Sequence, residues 1–313
     1  MRFDNRSRVS TYLSAWMPTG DETSQSVAGY FGGGNGTDRI DKIAFSADTK
    51  STLTAVLTSA RYGLAGMANS GVAGYLGGGD NGVVVNTIDK IAFTADTKTT
   101  LSATLSSARG YVSAMANSSV AGYFGGGYDT GYISGIDKIT FPADSKTTLS
   151  ATLTTARAYV SGMANSGTAG YFSGGEDGVD VSGIDKITFP ADTKTTLSAT
   201  LSTATKLTGS MSDSGVAGYI GGGGSPNLNR IDKITFSTDT KTTLSATLTT
   251  NRRNIAGMSN TGVAGYFGGG TDSVGSIDGI DKIAFPADTK TTLSATLTAA
   301  IAILGAFADC GVF

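Results

Sequence analysis

Apolar positions along this chain come in short runs set between glycine, serine, threonine and aspartate, and one run repeats the same alternation throughout. Leu149, Ala151 and Leu153 alternate with Ser150, Thr152 and Thr154, the period-two pattern of a strand with one wet face. Three other run types accompany it. One is small, as in residues 160–164 and in Ala65, Gly66 and Ala68; one reads Gly-Tyr-Phe-Gly; one reads Ile-Asp-Lys-Ile and leads to a phenylalanine. In chain order these are strand A (small), B (tyrosine), C (Ile-Asp-Lys-Ile) and D (Leu-Ser-Ala-Thr-Leu).

The order recurs. The strand B tyrosine is Tyr30 and returns as Tyr75, Tyr123, Tyr171, Tyr219 and Tyr266, at spacings of 45 to 48 residues. Strand C starts at Ile40, Ile88, Ile136, Ile184, Ile231 and Ile280. Six units of four short strands predict an all-β fold, a six-bladed β-propeller with four antiparallel strands per blade. Asn165-Ser166-Gly167 is a tight-hairpin signal between A and B, and Asp144 or Asp192 beside a hydroxyl residue suits an Asx-type turn between C and D. Strand D is expected outermost, and strand A innermost, where blades crowd the axis. Phe45, Phe93, Phe141, Phe189, Phe236 and Phe285 are expected to pack between blades, each contributing about 1.5–3 kcal/mol when fully buried. Each Asp41-Lys42 pair and its copies point to opposite sides of a strand, which favours pairing between blades over a joint catalytic site.

After the sixth strand D the chain runs through Leu304-Gly305-Ala306-Phe307-Ala308-Asp309-Cys310-Gly311, which matches strand A, whereas the first unit has no equally good strand A of its own. The C-terminal run is therefore expected to supply the innermost strand of blade one and close the ring without an open edge. A competing assignment gives that place to Thr11-Tyr12-Leu13-Ser14-Ala15-Trp16. The division that follows is a propeller over residues 27–313 and an N-terminal extension or attachment segment over residues 1–26.

Composition narrows the chemistry. The 313 residues hold 45 Gly, 15% charged residues and a net charge of −2, so the basic footprint of a nucleic-acid binder is missing. There is no histidine, which removes the commonest general base and metal ligand, and the single Cys310 makes no internal disulfide. Arg2, Asp4, Arg6 and Arg8 interrupt the N-terminus, so neither a signal peptide nor membrane insertion is expected. The Gly-Gly-Gly tracts open no helix and precede no Gly-Lys-Ser/Thr, so they read as strand ends and not as phosphate loops. Glu176, Asp177 and Asp180 share a loop but lack the EF-hand order and the remaining oxygens that calcium takes. The expectation is a protein that is not an enzyme, with no cofactor and no metal.

Taken together, the double glycine, the spaced tyrosine strand, the acidic turn and an arginine before the next unit resemble the kelch-repeat family, over about residues 27–313. The family's usual strand D tryptophan is absent, since Leu-Ser-Ala-Thr-Leu fills that run. Units as alike as Gly-Val-Ala-Gly-Tyr-Phe-Gly-Gly-Gly followed by Ile-Asp-Lys-Ile-Ala-Phe are also similar to kelch-like proteins of bacteriophages, including virion and tail-fibre components. The resemblance implies a structural or binding propeller of a virion, made in the host cytoplasm, whose partners are other structural subunits or a host-surface receptor or glycan within a larger assembly. Two alternatives stay open: a cytoplasmic kelch adaptor that binds a peptide, and a glycan-binding, lectin-like propeller. A copper oxidase of the kelch class would need histidine ligands.

Where binding would sit follows from the hairpins. The A–B and C–D turns lie at one end of the strands, the B–C and D–A loops at the other. The former barely vary among copies, whereas the B–C loops, residues 35–39, 80–87, 128–135, 176–183, 224–230 and 271–279, differ in length and chemistry. Loops on a rigid scaffold are where recognition concentrates. The candidate binding face therefore holds Arg61, Arg109, Arg157 and Arg252 with Tyr62, Tyr111, Tyr159, Tyr128 and Tyr132, while Thr205 and Ile301 take the arginine position in the other two units. Arginine with tyrosine suits carboxylates or sugars; the same arginines could instead tie their loops to carbonyls or acidic groups of the adjacent blade.

Overall fold

Twenty-four short strands and no helix make up the described part of the chain, residues 27–309 of a computed structural model. They form six four-stranded antiparallel sheets, each in the order A-B-C-D. The molecule is a six-bladed β-propeller. In blade 4, strand A is Ser161–Asn165, B is Ala169–Ser173, C is Ile184–Thr188 and D is Thr193–Thr196. Tyr171 of strand B lies opposite Met163 on one side and Lys186 on the other. Every residue of strand B is buried, strand C exposes part of one face, and strand D is mostly exposed. Burial on both faces explains why strand B is uniformly apolar or small instead of alternating.

One strand is not where the alternation placed it. The paired outer strand of blade 3 is Ser145–Thr148, not the Leu-Ser-Ala-Thr-Leu run that follows. An outermost strand pairs on one side only and sits in water, so a Thr/Lys segment serves it, and lysine guards the free edge. The leucine run keeps its period of two as an unpaired extended crossing. Leu149 and Leu153 each donate one backbone bond, to Ile136 and Ser134, at 2.9 Å, and Leu153 is buried among the residues between blades 3 and 4.

The C–D turn also differs from the expectation. Asp48, Asp96, Asp144, Asp192, Asp239 and Asp288 hold φ between 50° and 55°, and their carboxylates reach the preceding blade instead of their own turn. Each accepts a tyrosine hydroxyl at 2.8–2.9 Å and a lysine ammonium at 2.6–2.8 Å. That tyrosine and lysine are cross-strand partners in B and C, with the ammonium 5.2–5.5 Å from the ring centre. The six phenylalanines complete the joint as expected, stacking on the same tyrosines at 4.9–5.5 Å.

Between strands B of adjacent blades, a large residue fills the space over a glycine. A Cβ on Gly125 would meet Phe172 at 2.5 Å and one on Gly268 would meet Phe31 at 2.5 Å. In blade 4 Ser173 takes the glycine position, and the residue of blade 5 that corresponds to Phe172 is the smaller Ile220. Around the axis, strand A alternates Gly66, Ala114, Gly162, Ser210, Gly257 and Ala306. A Cβ on Gly66, Gly162 or Gly257 would strike the carbonyl oxygen of Ala306, Ala114 or Ser210 respectively. The inner ring thus closes with a threefold alternation of bare positions and positions with a small side chain.

The ring is closed by its C-terminus. Gly305–Ala308 is strand A of blade 1 and pairs with Ala28–Gly32, Tyr30 opposite Phe307. Asp309 adds a carboxylate bond from the Ala28 N–H and a backbone bond to its carbonyl, both 2.9 Å. Thr11, Trp16 and Cys310, to which the sequence attached other readings, lie outside the described residues, as do residues 1–26 generally.

Candidate functional site

The four linker arginines do not line an exposed ring. Arg61, Arg109, Arg157 and Arg252 are at most 2% exposed and point into the blades. Each NH2 group donates to a strand B carbonyl (Leu76, Phe124, Phe172, Phe267) at 3.0–3.3 Å and to a strand C aspartate (Asp89, Asp137, Asp185, Asp281) at 2.9–3.2 Å. Burial pulls these guanidinium pKa values down and the aspartates hold them up. The aspartate is saturated: Asp185 also accepts the Thr154 N–H at 2.9 Å, the Thr154 hydroxyl at 2.5 Å and the Thr196 hydroxyl at 2.9 Å. Thr154 belongs to the linker leaving blade 3, so the aspartate of each Ile-Asp-Lys-Ile run staples the incoming chain while its lysine reaches the other way. Both members of the pair join blades.

Two blades do without the linker arginine, and the sequence compensates within the same blade. Blade 5 receives Thr205 and blade 1 receives Ile301, and in these two alone the residue before Ile-Asp-Lys-Ile is an arginine, Arg230 and Arg39, where the others carry Thr87, Gly135, Gly183 and Gly279. Arg230 Nε lies 3.6 Å from Asp232, and Arg39 shares a small enclosure with Asp41 and Ile301. A cation is thus brought close to the aspartate from the B–C loop instead of the linker. The linker comparison alone did not reveal this; the signal was the paired substitution one loop away.

Removing the arginines leaves the tyrosines as the distinctive chemistry of the variable face. Two residues after each linker arginine position stand Gly63, Tyr111, Tyr159, Leu207, Asn254 and Ile303, all with φ between 53° and 64°. Five successive N–H groups in this ring donate to the preceding blade's carbonyl: Gly63 to Ile303, Ile303 to Asn254, Asn254 to Leu207, Leu207 to Tyr159 and Tyr159 to Tyr111, at 2.8–3.4 Å. Left-handed backbone is costly for a β-branched residue such as Ile303 and persists only where surroundings over-determine it. Here the belt does so, and it fixes the mouth of the axial channel, a cavity of about 70 Å³.

Side chains around that mouth are unequal. Tyr62, Tyr111 and Tyr159 are half-buried and form a row, with centroids 6.0 Å and 4.4 Å apart. Burial, then Tyr159 and Tyr62, push the Tyr111 phenol pKa well above its ordinary value. Tyr128, 37% exposed, meets half-buried Tyr132 edge to face at 5.3 Å in the blade 3 loop. The Gly110 N–H beside Tyr111 donates to the Tyr128 carbonyl and the Ala158 N–H beside Tyr159 to the Glu176 carbonyl, both at 3.0 Å, which joins the two groups into one sector. Lys206 bridges Glu176 at 2.8 Å and Asp180 at 3.5 Å, so two of the three carboxylates of that loop are engaged by an ammonium. Lys206 was not among the residues the sequence singled out, because it stands at a linker position that is Tyr, Gly, Ala or Arg in other copies.

The fold and this geometry define a six-bladed β-propeller with one invariant and one variable face. No protein-family model matches the sequence, and no curated protein matches it either.

Proposed function

We propose that this chain acts by binding and not by catalysis, as a structural component of a phage virion, tail- or fibre-associated, whose B–C/D–A face meets a neighbouring subunit or a host-surface receptor. One observation carries the reading. The clamps that join blades repeat nearly unchanged six times, whereas the differences between copies gather in loops at one end of the strands, around a rigid backbone belt. Repetition of that kind supports a scaffold; difference confined to one face supports recognition. The virion assignment draws on the likeness of the repeats to kelch-like phage proteins.

The test is quantitative mass spectrometry of the particle or complex from which the chain is purified. A fixed ratio to other subunits is the expected result. Recovery only as a free monomer, from cells that carry no phage genome, would contradict it.

A further inference from the structure

The sequence holds 12 tyrosines. Six are the fully buried joint tyrosines, Tyr12 lies outside the described residues, and the remaining five, Tyr62, Tyr111, Tyr128, Tyr132 and Tyr159, all sit in one sector of the variable face. The opposite side of the same mouth has Leu207, Asn254 and Ile303 in the ring. A sixfold scaffold would not produce this one-sidedness for its own stability, since the belt closes equally well through residues without a ring.

We propose that this tyrosine sector, spanning the mouth from Tyr62 to Tyr132 with Glu176 and Lys206 at its end, is a carbohydrate site for a neutral pyranose oligosaccharide. The inference rests on the binding role proposed above and names its ligand class. A pyranose has an apolar C–H face and an edge of hydroxyls that both donate and accept. Tyrosine flanks supply rigid flat surface at low entropic cost, and their phenols supply hydrogen bonds. Glu176 accepts and Lys206 donates, and since Glu176 and Asp180 share the one ammonium the cluster keeps an excess of negative charge, which favours a neutral sugar over an acidic one. The four arginines at the position of Arg61 offer a small anion no free guanidinium, because they are buried against aspartates, and Arg253 stands beside Asn254 on the other side of the mouth. An extended peptide finds no accessible strand edge, because the unpaired inner edges of the A strands crowd one another at the axis and the outer free edges belong to the lysine-bearing D strands on the rim. The belt holds the Tyr111 and Tyr159 backbones, and the Tyr62–Asp80 and Gly110–Tyr128 backbone pairs hold Tyr62 and Tyr128, before any ligand arrives, which lowers the ordering cost of binding.

The experiment uses the full chain on an immobilised array of neutral hexose and N-acetylhexosamine oligosaccharides with sialylated counterparts, followed by titration of the best neutral oligosaccharide. Tyr128→Ala and Tyr132→Ala, both in a surface loop, are each expected to weaken binding about tenfold. Lys206→Met is expected to weaken it too, and Val274→Ala, on the far side of the face and 95% exposed, to leave it unchanged. Unfolding midpoints of all four variants should stay close to that of the unaltered chain, which separates lost contact from lost fold. Absence of any neutral-sugar binding, or binding indifferent to the tyrosines, overturns the inference. If a protein partner is then captured by the unaltered chain and lost with Tyr128→Ala, the binding role stands and the sugar falls; if neither ligand depends on this face, both fall.

Discussion

The turn aspartates show how much a single residue can do when its backbone and side chain serve different elements. Asp192 supplies the left-handed turn that reverses blade 4 from strand C to D, and its carboxylate receives Tyr123 at 2.8 Å and Lys138 at 2.6 Å from blade 3. Asn tolerates the same backbone and keeps an acceptor, so Asp192→Asn should cost roughly 1 kcal/mol. Asp192→Ala loses both partners and strains the turn, and should cost roughly 2–3 kcal/mol; urea unfolding of the two variants checks the difference. The buried pair is more severe. Arg157→Met leaves Asp185 uncompensated in the interior and should destabilise by roughly 3–5 kcal/mol in the same assay. It should do so without touching any ligand, because Arg157 faces inward.

Ionisation at these joints also sets the pH range. Burial works against ionisation of Asp232 and Asp281, but hydroxyl and N–H donors from Ser202 and Thr249, with Arg230 or Arg252 nearby, outweigh it and hold both pKa values below the ordinary range. Their stabilisation is therefore complete above the unfolded carboxylate pKa of about 3.9 and is lost as pH falls through the lower folded values. The joint tyrosines run the other way. Burial, and then the neighbouring aspartate, raise the phenol pKa of Tyr75 or Tyr219, so stability is present below pH ~10 and falls above it as the unfolded chain ionises first. In an alkaline titration the tyrosinate absorbance of the six joint tyrosines should appear together with unfolding, not before it.

At the scale of strands, the packing of one blade on the next follows a volume rule. Gly125 faces Phe172 and Gly268 faces Phe31, whereas blades 4 and 5 carry Ser173 and the smaller Ile220 at the corresponding positions. Ile220→Phe should therefore overpack against Ser173 and cost roughly 1–3 kcal/mol, and adding Ser173→Gly should recover most of the loss. A double-mutant cycle by chemical denaturation measures that coupling. The same scale shows what was legible in advance. Tyrosine spacing and Ile-Asp-Lys-Ile placed strands B and C within a residue, because their burial is dictated by both neighbouring sheets. The leucine run misplaced strand D, because alternation reports which side chains are buried, not which backbone is paired. Tyr62, Tyr111 and Tyr159 could be placed on one face from hairpin geometry, whereas the inward turn of Arg157 depends on Asp185, 28 residues away, and Lys206 on a loop two turns removed.

Taken whole, the ring depends on its last strand. Gly305–Ala308 completes blade 1, and Phe307 packs against both Tyr30 and Phe93, joining blades 1 and 2. Truncation after residue 304 should expose strand B of blade 1 as an open apolar edge and abolish the single cooperative unfolding transition. A substitution confined to one B–C loop, by contrast, should leave that transition intact. The molecule thus separates a closed frame, common to six blades, from a face on which the copies differ.

That separation is tested most directly by cryo-EM of the chain in the assembly from which it is isolated. The account predicts that the B–C/D–A face, with Tyr128 and Tyr132, lies against the partner or points to the surface the assembly engages. Contact made solely through the A–B and C–D turns or the D-strand rim, with the variable loops unused in every bound state, would contradict it.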